Sequence, residues 1–259
     1  MTFLILPIHN ENVSEFIKCL RAQTVKPWMI VWVDSGTKDC GTCEATAPGC
    51  YYECIRVSSG NYWAGSLQAG QRYIARLARP GDIVGVMNND TTFGPDFIET
   101  AVKHCKPGRI VHWAGDGKRV LWEWIFTRQF GAISTVNSLI PNALSNRAVF
   151  MMWSDFERVK FHKWLLPHYC SDYAWTCKAL KRLEPFAPFD LELTVDETRT
   201  GITEPETIRE LFSIKCVHNP IYYSVYVLMC APLLWKIPNL VRVWGYAMVR
   251  MWRIIRKGK

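Results

Sequence analysis

The residues best suited to chemistry in this 259-residue sequence are three polar side chains that follow a short apolar run. Residues 83–87 have the length and composition of a buried strand, and Asn88, Asn89 and Asp90 come directly after it. An unpaired carboxylate is costly in a core, whereas the carboxyl end of a strand in an α/β sheet suits a ligand. Two interpretations of Asp90 stay open. Its carboxylate either holds a hard divalent cation that also bridges phosphates, or forms an Asx-type turn that caps the next segment.

A second set of candidate ligands is a cluster of four cysteines with the spacing C-x2-C-x6-C-x3-C. Cys40, Cys43, Cys50 and Cys54 supply enough thiolates for a tetrahedral zinc site, although the spacing is shorter than is usual between zinc knuckles. Structural zinc, a disulfide pair and free cysteines are the three interpretations that this spacing leaves open.

The elements around these residues alternate in the way that is typical of a parallel sheet. Residues 3–8 and 28–33 are apolar runs that predict buried strands, and residues 13–23 between them have apolar positions at helical spacing. Strand, helix and strand in this order predict an α/β protein. Further helices are predicted at 66–77, 96–104, 155–162, 171–183 and 204–212, and further strands at 55–58, 110–113 and 148–153.

The basic and aromatic residues near the C-terminal end indicate a surface contact. The formal net charge of +8 is compatible with nucleic acid, an anionic membrane or phosphorylated ligands as partners. Residues 242–259 contain six basic side chains and no acid, mixed with Trp and aliphatic residues. This pattern predicts an amphipathic helix that lies either on a membrane surface or on the protein's own core. The apolar run at 221–235 is shorter than the roughly 20 residues of a spanning helix, which favours an interfacial or packed helix.

The first residues of the sequence do not resemble a signal peptide. They have no basic region before the apolar run, and Pro7 interrupts that run. The sequence contains ten cysteines, but it is too long to need disulfides for stability. We therefore expect a cytoplasmic location, with a peripheral membrane contact through the C-terminal segment.

Seven segments between residues 3 and 183 resemble, in order, the motifs of one enzyme family. They lie at 6–10, 19–24, 31–39, 60–70, 87–97, 146–150 and 166–173. The fifth, Met-Asn-Asn-Asp-Thr with a later Pro-Asp-Phe, is similar to the family's LNDDT and PDF. The seventh, Leu-Pro-His-Tyr-Cys-Ser-Asp-Tyr, is similar to its LPHYGSDYDF. The sequence thus resembles the inverting family 2 glycosyltransferases with the GT-A fold, and most of all rhamnosyltransferase-like members of bacterial and viral surface-glycan pathways.

The resemblance implies a particular fold and division of the chain. It implies a GT-A (Rossmann-like) α/β fold with a mixed, mostly parallel central sheet flanked by helices. Together with the C-terminal pattern, it predicts a glycosyltransferase domain at 1–212 and an aromatic, basic segment of amphipathic helices at 213–259. A nucleotide is then expected outside the carboxyl ends of the strands.

The resemblance also assigns residues to the nucleotide-sugar donor. Asp34 is expected to accept a hydrogen bond from the nucleobase, with a simple turn aspartate as the alternative. Arg147 either holds a phosphate through two hydrogen bonds or is a surface charge at a strand edge. The positions that the resemblance assigns to the donor are Pro7, His9, Asn10, Asp34, Gly65, Asn88, Asn89 and Arg147.

Two acids carry the reaction that the resemblance implies. Asp90 is the expected ligand of Mn²⁺ or Mg²⁺, which neutralises the diphosphate leaving group. Asp172 is the expected general base on an acceptor hydroxyl, with helix capping as the alternative, and His168 and Tyr169 are expected on the acceptor side. The sequence departs from the family at two places. Amides replace the first acid of the DXD motif, and Ala174 replaces an acid two residues after Asp172.

The expected activity is inverting, metal-dependent transfer of a hexose or deoxyhexose from a UDP-, dTDP- or GDP-sugar. The expected acceptor is a glycan, either free, lipid-linked or protein-linked. The two departures leave a catalytically weakened nucleotide-sugar-binding protein as the alternative. Nucleic acid is not an expected partner, because no recognition module is visible and the positive charge is concentrated near the C-terminal end.

Overall fold

A seven-stranded sheet forms the centre of the computed structural model, which describes residues 1–10, 12–36, 49–122, 135–196 and 201–257. The strands in these ranges are β1 (Thr2–Ile8), β2 (Met29–Asp34), β3 (Tyr51–Arg56), β4 (Ile83–Met87), β5 (Thr91–Phe93), β6 (Arg109–His112), β7 (Gly117–Val120), β8 (Thr135–Asn137), β9 (Ala143–Leu144), β10 (Ala148–Met152), β11 (Glu184–Phe186) and β12 (Leu193–Val195). The α-helices are α1 (Ser14–Ala22), α2 (Tyr62–Ile74), α3 (Phe97–His104), α4 (Trp153–Phe156), α5 (Ser171–Ala179), α6 (Ile208–Leu211), α7 (Pro220–Cys230) and α8 (Leu233–Lys257).

The central sheet is mixed, and its strand order is β11-β6-β10-β4-β1-β2-β3. Strands β3, β2, β1 and β4 are parallel, whereas β10 runs antiparallel to both of its neighbours, β4 and β6. The carboxyl ends of β1, β2 and β4 therefore meet at one edge of the sheet. Strand β10 begins at that edge, where Ala148 pairs with Met87. This arrangement confirms the predicted fold class of a mostly parallel sheet flanked by helices.

Helices cover both faces of the sheet, which explains why its inner strands are continuous apolar runs. Along β1, Phe3 and Ile5 lie in one core cluster, and Leu4 and Leu6 lie in the other. Helices α2 and α5 contribute to the first cluster, and α1 and α3 contribute to the second. Burial on both faces fixes the strands, and with them the edge at which they end.

Two small sheets extend that edge. Strand β5 starts one residue after Asp90 and pairs antiparallel with β12, which ends one residue before Asp196. Strand β7 pairs with β8 and β9, and this three-stranded sheet lies in sequence between β6 and β10. The pairing of β5 with β12 brings Asp196 next to Asp90. The three-stranded sheet lies between Asp116 and Arg147 in the sequence.

The C-terminal segment forms two helices that pack on the rest of the chain. The side-chain oxygen of Asn219 caps α7 by accepting from the amide of Ile221 at 2.9 Å. In α8 the buried side-chain amide of Asn239 donates to the carbonyl oxygen of Trp122 at 2.8 Å. No helix within the described ranges is long and apolar enough to cross a membrane. The division of the chain after residue 212 stays a prediction.

The predicted helix at 155–162 is wrong beyond its first turn. Only α4 is helical there, although Phe156 and Val159 are both buried. The side-chain amide of Gln71 on α2 donates to the carbonyl oxygens of Phe156 and Val159 at 2.9 and 3.3 Å. These bonds satisfy the backbone without a continuing helix, so the apolar spacing reflects burial alone. Helix α6 is likewise shorter than the predicted 204–212.

Replacing Gly85 with Ala should destabilise the sheet. A Cβ at this position in β4 would lie 2.5 Å from Cε1 of Phe150 and 2.6 Å from Cδ2 of Leu4. Both neighbours are fully buried, so we expect a loss of about 1–3 kcal/mol in the free energy of unfolding, measured by urea denaturation. The matched control is Gly81→Ala, because nothing lies within 4 Å of a Cβ there. Equal stability of the two variants would contradict the close packing at Gly85.

Candidate active site

Three of the residues predicted on the donor side, His9, Asn10 and Asp34, lie together at the ends of β1 and β2. Nδ1 of His9 is 3.0 Å from the carbonyl oxygen of Ser35, and Oδ1 of Asp34 accepts from the amide of Gly36 at 2.7 Å. A Cβ on Gly36 would lie 2.6 Å from Oδ1 of Asn10 and 2.9 Å from Oδ1 of Asp34. Glycine at this position therefore allows the backbone to approach both polar side chains.

Arg56 belongs to this group, although the sequence analysis did not identify it. Asp34 is 1% exposed, and its Oδ2 lies 3.4 Å from Nη2 of Arg56 on the neighbouring strand. A buried carboxylate needs such partners, because an unpaired one is costly. The predicted strand at 55–58 was wrong in its position, since β3 ends at Arg56. With the correct position, Arg56 is paired with Asp34 in the register of the sheet.

Asn88 and Asp90 have different surroundings after β4. The side-chain oxygen of Asn88 accepts from Nε1 of Trp63 at 3.3 Å, which ties it to α2. Water reaches the side chain of Asp90, yet the protein packed around it raises the pKa of its carboxyl. Arg147 opposes this rise in pKa and Asp196 adds to it, so both charges lie close to Asp90. The amide of Asp196 also donates to the carbonyl oxygen of Asp90 at 2.8 Å.

A buried carboxylate that the sequence analysis missed holds the turn before β10. Asp116 is 0% exposed, and its Oδ1 accepts from the hydroxyl of Ser145 at 2.7 Å. Its Oδ2 accepts from the amides of Arg147 and Ala148, both at 3.0 Å. Within the turn Asn146 has a φ of 55°, in the left-handed region that Asn occupies more readily than most residues. Asp116 thereby fixes the backbone of Arg147 at the edge of the sheet.

The charge of Arg147 acts on both predicted catalytic acids. Its positive charge lowers the pKa of Asp90, of Asp116 and of Asp172. The carbonyl oxygen of Arg147 accepts from the amide of Asn88 at 2.9 Å, beside the strand end that carries Asp90. The hydroxyl of Thr176, one turn after Asp172, accepts from the amide of Leu144 at 2.9 Å, three residues before Arg147. The structure therefore brings Asp90 and Asp172 to one region, although they are far apart in sequence.

Burial raises the pKa of Asp172 to about 7. The nearby carboxylate of Asp116 raises this pKa further, and Arg147 lowers it. The backbone amides of Asp172 and Tyr173 lower this pKa too, so the first turn of α5 favours the charged carboxylate, although no side chain caps the helix. A carboxyl group with a pKa near neutrality can take up and release a proton at neutral pH, which an ordinary helix cap does not do.

The ring of His168 packs against Tyr169 and against Tyr62 at the start of α2, with 4.4 and 5.9 Å between ring centroids. Burial lowers the pKa of His168 to about 4, and the charges of Lys215 and His9 lower it as well. The imidazole is therefore neutral at neutral pH. A Cβ on Gly201 would overlap the hydroxyl of Tyr169, so the phenol rests against the backbone there.

Pro7 and Gly65 lie inside regular elements. Pro7 is part of β1, opposite Val33. Gly65 lies in the first turn of α2, where a Cβ would be 2.7 Å from Cβ of Asn61. The predicted start of the helix at 66–77 is therefore wrong, because α2 begins four residues earlier than expected. The donor-binding role of both positions stays a prediction.

The predicted zinc cluster lies partly outside the described residues, because Cys40 and Cys43 do so. Cys50 and Cys54 are half-buried against the core cluster that contains α1 and α3, and burial raises the pKa of the Cys50 thiol. Structural zinc at these cysteines stays a prediction.

The polar groups after β4 fit a divalent cation that protein encloses only partly. In the part of the chain that the structure describes, no three His, Cys, Asp or Glu side chains group together as metal ligands. Asp90 and Asp196 supply two neighbouring carboxylates, and Asn89 is half-buried at the same strand end. Mg²⁺ typically takes one or two carboxylates and leaves its other positions to water and substrate phosphates. These residues therefore fit a cation that is shared with a diphosphate.

The fold is similar to that of a known glycosyltransferase. No protein-family profile and no curated protein sequence matches the chain. A crystal structure of S. aureus TarS 1–349 is similar with a TM-score of 0.58 and 14% identity, over 96% of this chain and 72% of that chain. A second structure of S. aureus TarS has a TM-score of 0.54 and 13% identity, over 98% of this chain and 54% of that chain. TarS is a staphylococcal wall teichoic acid glycosyltransferase of the GT-A type, and at this identity the similarity shows a GT-A-like fold.

Replacing Asp172 with Asn should stabilise the protein at high pH. A carboxyl group whose pKa is raised on folding contributes less stability as the pH rises from its unfolded pKa, near 4, to its folded pKa of about 7. Above that range the buried charge opposes folding, and Asn removes it. We expect a higher Tm than that of the unsubstituted protein near pH 8, with at most about 4 kcal/mol gained, and equal Tm values near pH 4.

The control for this measurement is Asp190→Asn, because Asp190 is exposed. Its Tm should follow that of the unsubstituted protein at both pH values. Equal Tm values of Asp172→Asn and the unsubstituted protein near pH 8 would contradict the raised pKa of Asp172.

Proposed function

We propose that this chain is an inverting, metal-dependent glycosyltransferase that moves a sugar from a nucleotide-sugar donor to a glycan, lipid-linked or protein-linked acceptor. The observation that carries the proposal is that the charge of Arg147, which precedes β10 at the edge where the parallel strands end, acts on both Asp90 and Asp172. The GT-A-like fold supports it, because α/β sheets bind nucleotides at this edge.

The donor nucleotide would bind across the ends of β1 and β2. Asp34 retains acceptor capacity beyond its bonds to Gly36 and Arg56, because a carboxylate has about four acceptor positions. His9 and Asn10 lie beside it and would flank the base and ribose. This set recognises a nucleoside without distinguishing among UDP, dTDP and GDP.

The diphosphate would lie between β4 and Arg147. Arg147 can donate two hydrogen bonds to phosphate oxygens. Asp90, with Asp196 beside it, would hold Mn²⁺ or Mg²⁺, and that ion would supply positive charge to the departing diphosphate. Amides in place of the first acid of the motif leave more of the cation's positions to water and phosphate.

Asp172 would act as the general base in the transfer step. Its carboxylate takes the proton of the acceptor hydroxyl, and the hydroxyl oxygen forms a bond to the anomeric carbon. The bond from that carbon to the diphosphate breaks, and the nucleoside diphosphate leaves with the electron pair. Attack on the face opposite the leaving group inverts the anomeric carbon. A pKa of about 7 suits this role, because a base works best near the operating pH.

The alternative is a nucleotide-sugar-binding protein with weakened catalysis. The position of Ala174 favours a structural role, because the residue is 3% exposed and packs in the cluster that joins α5 to α7. A carboxylate that would support Asp172 is therefore replaced by an apolar contact. Donor turnover separates the two functions, whereas donor binding does not.

Substitution of Asp90 and of Asp172 should separate metal-dependent binding from transfer. We expect Asp90→Ala to lose the rise in Tm that a nucleotide sugar with Mn²⁺ gives the unsubstituted protein, because the carboxylate that holds the cation is gone. We expect Asp172→Asn to keep that rise in Tm and to lose at least about 100-fold in transfer or donor hydrolysis.

A panel of UDP-, dTDP- and GDP-sugars with Mn²⁺, Mg²⁺ or a chelator provides the measurement, with Asp190→Asn as the control. Donor binding without turnover by the unsubstituted protein would favour the alternative function. Transfer by Asp172→Asn at the unsubstituted rate would contradict the assignment of the base.

The pH dependence of transfer should report the pKa of Asp172. The base must be deprotonated to accept a proton, so the rate should rise with pH and level off above about 7. We expect this rise with pH in kcat/KM for the acceptor, measured with saturating donor. A rate that does not change between about pH 5.5 and 8.5 would argue against this base.

The finer features of the reaction rest on the motifs alone. The transfer of a hexose or deoxyhexose and the likeness to rhamnosyltransferases are proposals that the donor panel tests directly. A lipid-linked acceptor would suit a protein that works at a membrane surface, which the C-terminal helices make worth testing.

A further inference from the structure

The whole net charge of the protein lies after Glu210. Residues 1–210 contain 23 of the 31 Lys and Arg side chains and all 23 Asp and Glu side chains, so this part is formally neutral. The eight remaining basic residues lie in 211–259, which contains no acid. The charge of +8 therefore belongs to the segment of α7 and α8.

One face of α8 packs against the rest of the protein. Asn239 is 0% exposed and donates to the carbonyl oxygens of Trp122 and Trp235, both at 2.8 Å. Val243 and Ala247 are buried one and two turns later on the same face. This contact fixes which face of the helix points away from the rest of the chain.

The opposite face of α8 is apolar and exposed. Six of its side chains, at intervals of three, four, seven, four and three residues, are between 53% and 86% exposed, and we call them the outer stripe: Leu234, Ile237, Val241, Met248, Trp252 and Ile255. At a rise of about 1.5 Å per residue, the stripe is roughly 32 Å long. An exposed apolar surface of this length usually marks a contact with a membrane or another protein.

The end of α8 carries exposed positive charge, and Arg256 lies beside this stripe. Arg253, Arg256 and Lys257 are exposed, and the guanidinium of Arg256 lies 5.2 Å from the ring centroid of Trp252. Trp with Arg or Lys beside an apolar face is the composition of helices that lie in the interface of an anionic membrane. We infer that the outer stripe binds the surface of an anionic lipid bilayer, with α8 parallel to the membrane plane and the rest of the protein above it.

The charges favour a membrane over other partners. A second copy of α8 would bring basic residues together, because α8 contains no acid that could pair with them. Nucleic acid would neutralise the basic residues but would leave the apolar stripe in water. An anionic bilayer complements both features, since each basic residue near its surface is attracted and the apolar side chains enter the headgroup region.

Sedimentation of the full chain with phosphatidylcholine vesicles, with and without phosphatidylglycerol, tests this inference. We expect salt-sensitive binding to the vesicles that contain phosphatidylglycerol and little binding to the others. Val241→Glu with Met248→Glu should abolish binding without disturbing the core, because both side chains are more than half exposed. Arg253→Ala with Arg256→Ala should lower the affinity about 25-fold, at roughly fivefold for each charge.

The matched control introduces the same two charges elsewhere, at Leu139→Glu and Phe189→Glu, which are 85% and 103% exposed. It should bind vesicles like the unsubstituted chain, and circular dichroism should show all variants folded. Failure to bind phosphatidylglycerol, or equal loss in the control, would overturn the inference. A dimer by light scattering that Val241→Glu with Met248→Glu dissociates, without vesicle binding, would identify the stripe as a self-association surface instead.

Discussion

The hydrogen bonds of the buried Asp116 carboxylate are the interaction on which the candidate site depends. One carboxylate accepts from the hydroxyl of Ser145 and from the amides of Arg147 and Ala148, so it orders the turn from which β10 starts. The antiparallel direction of β10 then matters, because it places the start of this strand, and not its end, beside the end of β4. A buried carboxylate that served only packing would be costly, whereas this one places a cation among acids.

The electrostatics of the site follow from that placement. The protein packed around Asp90, Asp116 and Asp172 raises the pKa of each carboxyl, and the charge of Arg147 opposes the rise in all three. One guanidinium does not compensate three acids, so the site favours the arrival of further positive charge. A divalent cation at Asp90 would bring such charge, and a diphosphate bound to that cation would offset part of it, while Asp172 keeps a pKa suited to proton transfer.

Much of the sheet could be predicted from the sequence, whereas the network around Arg147 could not. Strands such as β1 and β4 are buried on both faces, and their unbroken apolar runs identify them without tertiary information. The position of Asp90 at a strand end follows directly. Asp116 lies between two glycines and looks like a turn residue, and its partners come about thirty residues later. Only the pairing of β10 with β4 and β6 shows what its carboxylate does.

The C-terminal helices are joined to the catalytic region through the core. Helix α5 begins beside Asp172 and continues through Ala174 and Cys177, which pack against Tyr226 and Cys230 of α7 in one cluster. Helix α8 contributes Val243 to the same cluster and so packs against the same residues. Helix α7 contacts α8 on one side and α5 on the other. The surface where α8 is exposed and the helix that carries the proposed base thus share one packed cluster.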